Sequence, residues 1–368
     1  MTTHSGKDTQ SVTSIPQTEP GRIVVGVDTH KYAHVAVAID QVGTRLAEIT
    51  ISVDRVGYEQ LEHWARQHGE KIRFGIEGTG SYGAGLASFL RRRGHRVVEV
   101  NRPDRRLRHL HGKNDSLDAE SAARAVLAGT ATAVSKSADG TVEMIRQVKI
   151  AKDTAVTARS QAMITLKTVV VTAPADLREK LEPLRDAQLI QTCRQLTYES
   201  MSGPADATRY TLRCLAERYG DLDREARLHD RILQTLTQRV APELTSRFGI
   251  GADSAAEVML VVGDNPARIR SEAALAKLAG ACPLPASSGK TTRYRLNRGG
   301  HRQANAALHR IIVARMRFHQ PTMDYVARRT AEGKTTREIM RCLKRLLVRD
   351  IYQIIVAPHK KKEEQFAA

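Results

Sequence analysis

The chain has 368 residues, which allows two or three domains, and 41% of them are hydrophobic, enough for a sizeable core. A net charge of +18 favours a polyanionic partner such as nucleic acid, while 4% aromatic residues argue against a base-stacking sheet as the main binding surface. Four scattered cysteines without CxxC spacing argue against a disulfide framework and a zinc site, and the chain lacks the run of 18 apolar residues that would predict a membrane helix.

The two ends of the chain are polar. Residues 1–20 lack an apolar signal core and are expected to form a disordered arm, and the lysine-rich residues 358–368 are expected to form a mobile tail. Together with the cysteine usage, this predicts a cytoplasmic, nucleoid-associated protein with no membrane partner.

Residues 21–135 alternate between strand and helix patterns. Apolar runs predict five strands, at residues 22–28, 33–39, 45–53, 71–76 and 96–100. Helical periodicity predicts three helices, at residues 58–67, 84–93 and 116–127. This order is that of a ribonuclease-H-like α/β domain with a mixed sheet, in which the first and fourth strands are neighbours.

Acidic residues stand at the ends of these elements. Asp28 ends the first strand, Glu77 ends the fourth, and Asp115 and Asp118 lie three residues apart where the last helix begins. A single Asp at a strand end is usually a cap or turn residue, but four acids in this order are less often accidental. Oxygen ligands suit Mg²⁺, with Mn²⁺ as the alternative, and two such ions can act on one phosphodiester. The four carboxylates therefore predict metal-dependent chemistry on a nucleic-acid backbone.

The segment Gly78–Gly83 offers a competing interpretation, because it matches GxGxxG, follows a strand and opens a helix. Glu99 closes the next strand, near where a ribose-binding acid would lie in a dinucleotide site. However, the charge of Glu77 would oppose a pyrophosphate, and this strand is the fourth of its domain. The glycines are better explained by close packing of the helix on the strand.

Basic residues follow the second helix at high density. A solvated face is the usual meaning of charged residues, but this density beside the acids favours a phosphate track. The predicted nucleic-acid contacts are Arg91, Arg92, Arg93, Arg102, Arg105, Arg106, Arg108 and Lys113.

The middle of the chain, residues 136–240, is predicted to be helical. Residues 137–172 read as one long helix, and 209–240 as a second one after several prolines. The first has an apolar seam at spacings of three and four, formed by Val148, Ala151, Ala155, Ala158, Ala162, Leu166 and Val169. The seam suits an antiparallel or intersubunit coiled coil, and an ordinary bundle helix explains it equally well.

In the last third, residues 244–262 suggest a helix-hairpin-helix element whose glycine turn, Phe248–Gly251, presents N–H groups to a phosphate. A plain packing corner is an equal alternative. Further helices are predicted at 273–279, 301–317 and 335–356, with a loop at 283–290.

That loop contains Ser288 beside Ser287, in strongly basic surroundings. A serine that attacks a phosphodiester needs such charge, because negative charge builds up on the phosphoryl oxygens. The predicted nucleic-acid contacts here are Lys290, Arg293, Arg295, Arg298 and Arg302.

These residues resemble the transposases of insertion sequence family 110, the DEDD, bridge-RNA-guided recombinases, over about residues 22–356. The resemblance rests on five motifs: Val27–Lys31, Gly75–Gly80, Asn114–Glu120, Gly249–Gly251, and Leu278–Gly280 leading to Pro283 and Ser288-Gly289. One departure is Phe248, where the family usually carries a proline.

The resemblance implies a RuvC-like domain at 21–135, a helical coiled-coil and dimerisation segment at 136–240, and a helical transposase domain at 241–357. Its four acids fall on Asp28, Glu77, Asp115 and Asp118, which would hold Mg²⁺. Its catalytic serine falls on Ser288, which would join DNA as a 5′-phosphoserine in a site shared between subunits.

By the same resemblance, the partners are double-stranded donor and target DNA, a structured guide RNA, and copies of the chain that form a dimer and then a tetramer. Three alternatives remain: a RuvC-like nuclease without a serine intermediate, a nucleotide-dependent oxidoreductase built on Gly78–Gly83, and a non-catalytic nucleic-acid scaffold.

Overall fold

The structure, a computed structural model, describes residues 21–100, 114–198, 200–287, 289, 294–295 and 297–367. The chain divides into two compact units, Met1–Lys136 and Ser137–Ala368. The first contains a mixed sheet with helices and the second is mainly helical, which confirms the predicted fold class.

The sheet of the first unit has six strands in the order β3-β2-β1-β4-β5-β6. They are β1 (Arg22–Thr29), β2 (Ala33–Ile39), β3 (Arg45–Ser52), β4 (Lys71–Glu77), β5 (Arg96–Val100) and β6 (Ala133–Val134). β1 pairs in parallel with β4, and β4 with β5, whereas the other pairs are antiparallel. The predicted contact between the first and fourth strands is therefore confirmed, while the short β6 was not predicted.

Helices cover both faces of this sheet. On one face, α1 (Arg55–His68) and α2 (Ala84–Arg92) bury Leu61, Leu86 and Leu90 against strand residues such as Phe74. On the other face, α3 (Asp115–Leu127) packs its alanines on β1, β2 and β4. Because successive strand side chains point to opposite faces, the near-continuous apolar runs of β1 and β4 supply both cores.

Two glycines let α3 approach the sheet closely. Gly26 and Gly75 are register partners in β1 and β4. A Cβ atom on Gly26 would lie 1.9 Å from the carbonyl oxygen of Ala119, and one on Gly75 would lie 2.7 Å from Cγ2 of Val126. Any side chain at these positions would push α3 away, so the two glycines set how far the helix lies from the ends of β1 and β4.

The second unit is built on two long helices, α4 (Thr141–Val171) and α7 (Pro204–Val240). They are antiparallel, since Lys152 pairs with Asp230 and Arg159 with Asp223. Ala155, Ala162 and Leu166 of the predicted seam are buried, whereas Ala158 is exposed. Two short helices, α5 (Ala175–Leu181) and α6 (Asp186–Arg194), close the far end of the pair around Leu212 and Ala216.

The remaining elements form a second helical core. They are α8 (Pro242–Thr245), α9 (Ala252–Val262), the 3₁₀ turn Pro266–Arg268, α10 (Glu272–Leu278), β7 (Leu284–Pro285), β8 (Tyr294–Arg295), α11 (Arg302–Phe318), α12 (Gln320–Ala331), α13 (Thr336–Ile351), the π-helical turn Tyr352–Val356 and α14 (Ala357–Ala367). A large apolar cluster joins α9 to α11 and α13.

Several sequence-based boundaries were wrong, and proline explains two of them. Pro204 was taken as a breaker but occupies the first turn of α7, where its missing N–H needs no partner. The unpredicted α12 likewise begins with Pro321 in its first turn. The helices α5 and α6 are short and were not predicted. The helix predicted at 335–356 ends earlier in the structure, at Ile351, and a π-helical turn follows it. None of the described helices combines the length and the apolarity needed to cross a membrane.

Candidate functional site

The carboxyl ends of β1 and β4 bring two predicted acids to the same edge of the sheet. Val27 and Ile76 are register partners in these parallel strands, and Asp28 and Glu77 follow them directly. The Thr29 hydroxyl donates a hydrogen bond of 2.9 Å to the backbone carbonyl of Glu77, which ties the two strand ends together. Only 7% of Asp28 is exposed, whereas Glu77 is half-buried.

The other two acids come from the first turn of α3. Asn114 caps this helix, its side-chain oxygen accepting from the Ser116 N–H at 3.0 Å. Asp115 and Asp118 lie one turn apart, and Asp118 is buried with 5% exposure. Acidic side chains are favoured in a first helical turn, where the helix dipole is positive. The close packing at Gly26 places this turn over the end of β1.

A compact donor group forms around His30, directly after β1. Its Nε2 lies 3.1 Å from Oδ2 of Asp28 and 3.4 Å from Oδ1 of Asp115. One ligand atom from each of Asp28, His30 and Asp115 lies within 4.8 Å of the others. This is the spacing of atoms that can share one cation.

The electrostatics of the group favour a cation. Burial raises the pKa of Asp28, and the negative charges of Asp115 and Asp118 raise it further, although His30 opposes the shift. The Asp28 carboxyl thus lies close enough to two other carboxylates for their charges to oppose its ionisation. A bound divalent ion would remove this repulsion, so the donor set fits a divalent metal. Carboxylate oxygens suit Mg²⁺, and the imidazole nitrogen suits Mn²⁺ better.

His30 was the residue that sequence reasoning missed as part of this site. It falls inside the sequence motif Val27–Lys31, but that motif alone assigned it no role in the site. A sequence signal did exist, because Asp28 and His30 are two residues apart at a strand end and such residues point to the same side. The contact with Asp115 could not be inferred, since it depends on the packing of α3.

In the second unit, a turn at residues 277–280 precedes the predicted serine loop, and hydrogen bonds from later residues hold this turn. Asn297 Nδ2 donates to the Lys277 carbonyl at 2.9 Å, the His301 N–H to Leu278 at 2.7 Å, and Asn305 Nδ2 to Gly280 at 2.8 Å. Gly280 has a φ of +69°, which favours glycine there. β7 and β8 pair with each other on either side of residues 286–293 in the sequence. Ser288 itself lies outside the described residues.

Of the predicted nucleic-acid contacts, as of the serine loop, only a part lies among the residues that the structure describes. Arg102, Arg105, Arg106, Arg108, Lys113, Lys290 and Arg293 lie outside the described residues. Among the others, Arg92, Arg295, Arg298 and Arg302 are exposed. Arg91 donates to the Ser135 hydroxyl, and Arg93 lies 3.8 Å from the carboxylates of Glu59 and Glu62. Their contacts with nucleic acid stay predictions.

The glycine-rich segment is a turn between β4 and α2. The Gly78 carbonyl accepts from the N–H groups of Ser81 and Gly83, and the helix begins only at Ala84. A Cβ on Gly83 would lie 2.9 Å from the Glu77 carbonyl oxygen, so this glycine serves close packing, as expected, whereas Gly80 faces open space. β1 pairs with an antiparallel hairpin partner, unlike the first strand of a βαβαβ unit.

Comparison with known protein families gives two matches. Residues 25–173 match the family model for the DEDD transposases of the IS110 type. Residues 241–327 match the model described as transposase IS116/IS110/IS902 family. Together the two matches cover more than half of the chain. No curated protein matches it.

Proposed function

The chain belongs to the IS110 family of transposases and is an enzyme that acts on DNA, and we propose that it excises and inserts its own element through a divalent-metal site and a serine nucleophile. The observation that carries this proposal is the cluster of Asp28, His30, Asp115 and Asp118 at the end of β1. Membership of the DEDD class implies that the enzyme uses a divalent metal ion, and this set of donor atoms fits Mg²⁺ or Mn²⁺.

In the proposed reaction, Ser288 Oγ attacks the scissile phosphorus. The new Oγ–P bond forms as the P–O3′ bond breaks, and the serine proton ends on the released 3′-oxygen. The product is a 5′-phosphoserine and a free 3′-hydroxyl, which can later reverse the step on another strand. Asp28, Glu77, Asp115 and Asp118 would hold the metal together with His30, and the metal would supply Lewis acidity at a phosphate oxygen.

The serine-nucleophile part of this proposal is supported by Arg295, Arg298 and Arg302. All three are exposed: Arg295 lies in β8, Arg298 in the turn that follows it, and Arg302 at the start of α11. Cations there would hold the DNA backbone and offset charge on the phosphoryl oxygens. Arg91, Arg92 and Arg93 lie at the end of α2, near the start of β5 and at the edge of the sheet opposite the acids, and would contact nucleic acid there. The family resemblance adds a guide RNA as the second polyanion.

The test is covalent capture of DNA by the full chain with Mn²⁺ and a nicked donor end. We expect an SDS-resistant adduct that Ser288→Ala abolishes and Ser287→Ala, its matched neighbour, retains. Chelation with EDTA should abolish the adduct, and Mn²⁺ should restore it. If the Ser288→Ala chain still cuts DNA, the protein is a RuvC-like nuclease that uses water, and the serine mechanism is wrong.

We further propose that the chain dimerises along α4. Ile150, Ile164 and Val171 are 51%, 59% and 63% exposed and, with Thr157, are spaced seven residues apart. This heptad stripe lies outside the buried seam that packs on α7, and it suits a second copy of the same helix. Ile164→Lys should yield monomers by light scattering, whereas Leu228→Lys on α7 should not. Dimers that survive Ile164→Lys would disprove this interface.

A further inference from the structure

A cavity of about 620 Å³ lies within the second unit, beside the base of the hairpin formed by β7 and β8 (the serine hairpin). Its walls come from residues 280–283, from β8, and from α11, α12 and α13. The volume is within the range of ligand pockets, roughly 300–1,000 Å³. It shares Arg295 with the DNA-backbone contacts proposed above, and the rest of its wall has no role in them.

The wall of this cavity is cationic. Arg295, Lys334, Arg341 and Lys344 all line it. The acid in the wall, Glu338, already accepts hydrogen bonds from the backbone N–H and hydroxyl of Thr335, at 2.9 and 2.8 Å, as part of a helix cap. The cavity therefore presents an excess of positive charge, which suits an anionic group such as a phosphate.

Lys344 is held in place before any ligand arrives. Its Nζ donates to Asn305 Oδ1 at 2.7 Å and to the Asn305 backbone carbonyl at 3.3 Å. The Asn305 amide nitrogen donates to the Ala279 and Gly280 carbonyls, so Oδ1 is left for the lysine. A lysine has three N–H donors, so one stays available for an anion. Asn305 thus couples this cation to the turn that carries the serine hairpin.

The same cavity has two aromatic walls. Tyr294 belongs to β8 and is 54% exposed, and Tyr325 belongs to α12. The chain has few aromatic residues, and bases of single strands commonly stack on such side chains. Phosphate-binding cations beside aromatic faces are the two parts of a nucleotide subsite.

We propose that this cavity binds one unpaired nucleotide of the cleaved DNA strand, with a phosphate held by Lys344 and Arg341 and the base against Tyr294 or Tyr325. This subsite rests on the proposed function, because it explains how a strand end would be kept beside the serine hairpin. Lys344 and Arg341 are then strand-binding residues, and Asn305 is a positioning residue that acts through Lys344.

The distribution of cysteines allows a direct test. Cys282 and Cys342 line the cavity and are half-buried, Cys193 is fully buried, and Cys214 lies on α7. A single-stranded DNA oligonucleotide whose base carries a tether ending in an activated mixed disulfide should exchange with Cys282 or Cys342 in the full chain, forming a DNA–protein disulfide and releasing the tether's leaving thiol. The double variant Cys282→Ser/Cys342→Ser should lose this capture, whereas Cys214→Ser should retain it.

A charge variant tests the phosphate contact in the same assay. Lys344→Gln should slow capture about tenfold, since a hydrogen bond to a charged group contributes about 1.5 kcal/mol or more. Lys344→Arg should restore most of the rate, and Arg349→Gln, the matched change on the same helix outside the cavity wall, should leave it unchanged. Unchanged melting temperatures would exclude misfolding as the cause.

Two results would overturn the subsite. One is capture that Lys344→Gln and Arg349→Gln affect equally. The other is stronger capture of the matching RNA oligonucleotide, which would assign the cavity to the guide RNA. Because this assay needs no strand cleavage, it is independent of the Ser288→Ala test. A chain that captures DNA but forms no serine adduct would retain the subsite and lose the proposed chemistry.

Discussion

Each unit of the molecule contains a cluster of buried charged groups, and the two clusters differ in how their charges balance. In the first unit, Asp28 and Asp118 are buried near Asp115, with the His30 ring between Asp28 and Asp115. In the second unit, Lys149 and Lys152 are buried among the acids of α4, α7 and α9.

The pKa shifts show the difference. Burial and like charges raise the pKa of Asp28. Burial alone would raise the pKa of Asp253 too, but the hydrogen bond from Lys152 and the charge of Lys149 lower it. For Lys149, hydrogen bonds to Asp153 and Glu257 outweigh burial and raise its pKa. The second cluster is compensated and joins three helices, whereas in the first the burial and the neighbouring carboxylates raise the pKa of Asp28, which suits a site for a cation.

The largest expected effect is on catalysis. Asp28→Asn and Asp118→Asn should each reduce the rate of serine-adduct formation by about a thousandfold or more, because the bound charge that stabilises the transition state is lost. Circular dichroism and DNA binding should change little. Adduct formation that persists within tenfold of the unchanged chain would show that this acidic cluster is structural, like the compensated one.

The compensated cluster should respond through stability. Lys152→Met would remove the cation that Asp230 and Asp253 share. Because Lys152 is buried but both carboxylates are partly exposed, we expect a loss of about 2 kcal/mol, less than the roughly 3–5 kcal/mol of a fully buried pair. Urea unfolding at neutral pH measures this loss. Lys167→Met is the matched control, because the Lys167–Asp186 pair is more than half exposed and should contribute less than about 1 kcal/mol. Equal losses in the two variants would remove the distinction between the clusters.

The sequence predicted the elements of the acidic site better than their contacts. The strand ends at Asp28 and Glu77 and the first turn of α3 follow from periodicity and capping residues, which are local signals. The approach of α3 to β1 depends on Gly26 and Gly75 facing one helix, which is a tertiary property. The contact of His30 with Asp115 depends on that approach and was missed for the same reason.

The second unit shows the same limit. The charges of Lys149, Lys152 and Asp253 are visible in the sequence, but their pairing requires the antiparallel packing of α4 on α7 and the position of α9. Similarly, the basic residues around the serine loop were predicted, whereas the turn at 277–280 is held by Asn297 and Asn305, which carry no strong local signal.

Gly26→Ala tests whether helix approach sets the acidic site. The added Cβ would meet the Ala119 carbonyl, and overpacking of this kind costs about 1–3 kcal/mol. Because a displaced α3 would carry Asp115 and Asp118 with it, the affinity for Mn²⁺ should fall. Titration calorimetry measures this affinity. Gly80→Ala is the matched control, since Gly80 faces open space. Gly26→Ala with unchanged Mn²⁺ affinity would show that the site tolerates a displaced helix.

The smallest expected effect is the pH dependence of the compensated cluster. The pKa of Asp253 is lowered in the folded chain, so its ion pairs stabilise the fold above the ordinary value of 3.8, and this stabilisation disappears as pH falls through the lowered value. Asp253→Asn should therefore reduce stability by about 1 kcal/mol at pH 7, a modest loss because solvent screens its partly exposed carboxylate. The gap in unfolding free energy between the unchanged chain and the Asp253→Asn variant should close at acid pH. Urea unfolding at several pH values measures it, and a gap that stays constant below pH 3.8 would mean that packing, and not charge compensation, holds α9 against α4.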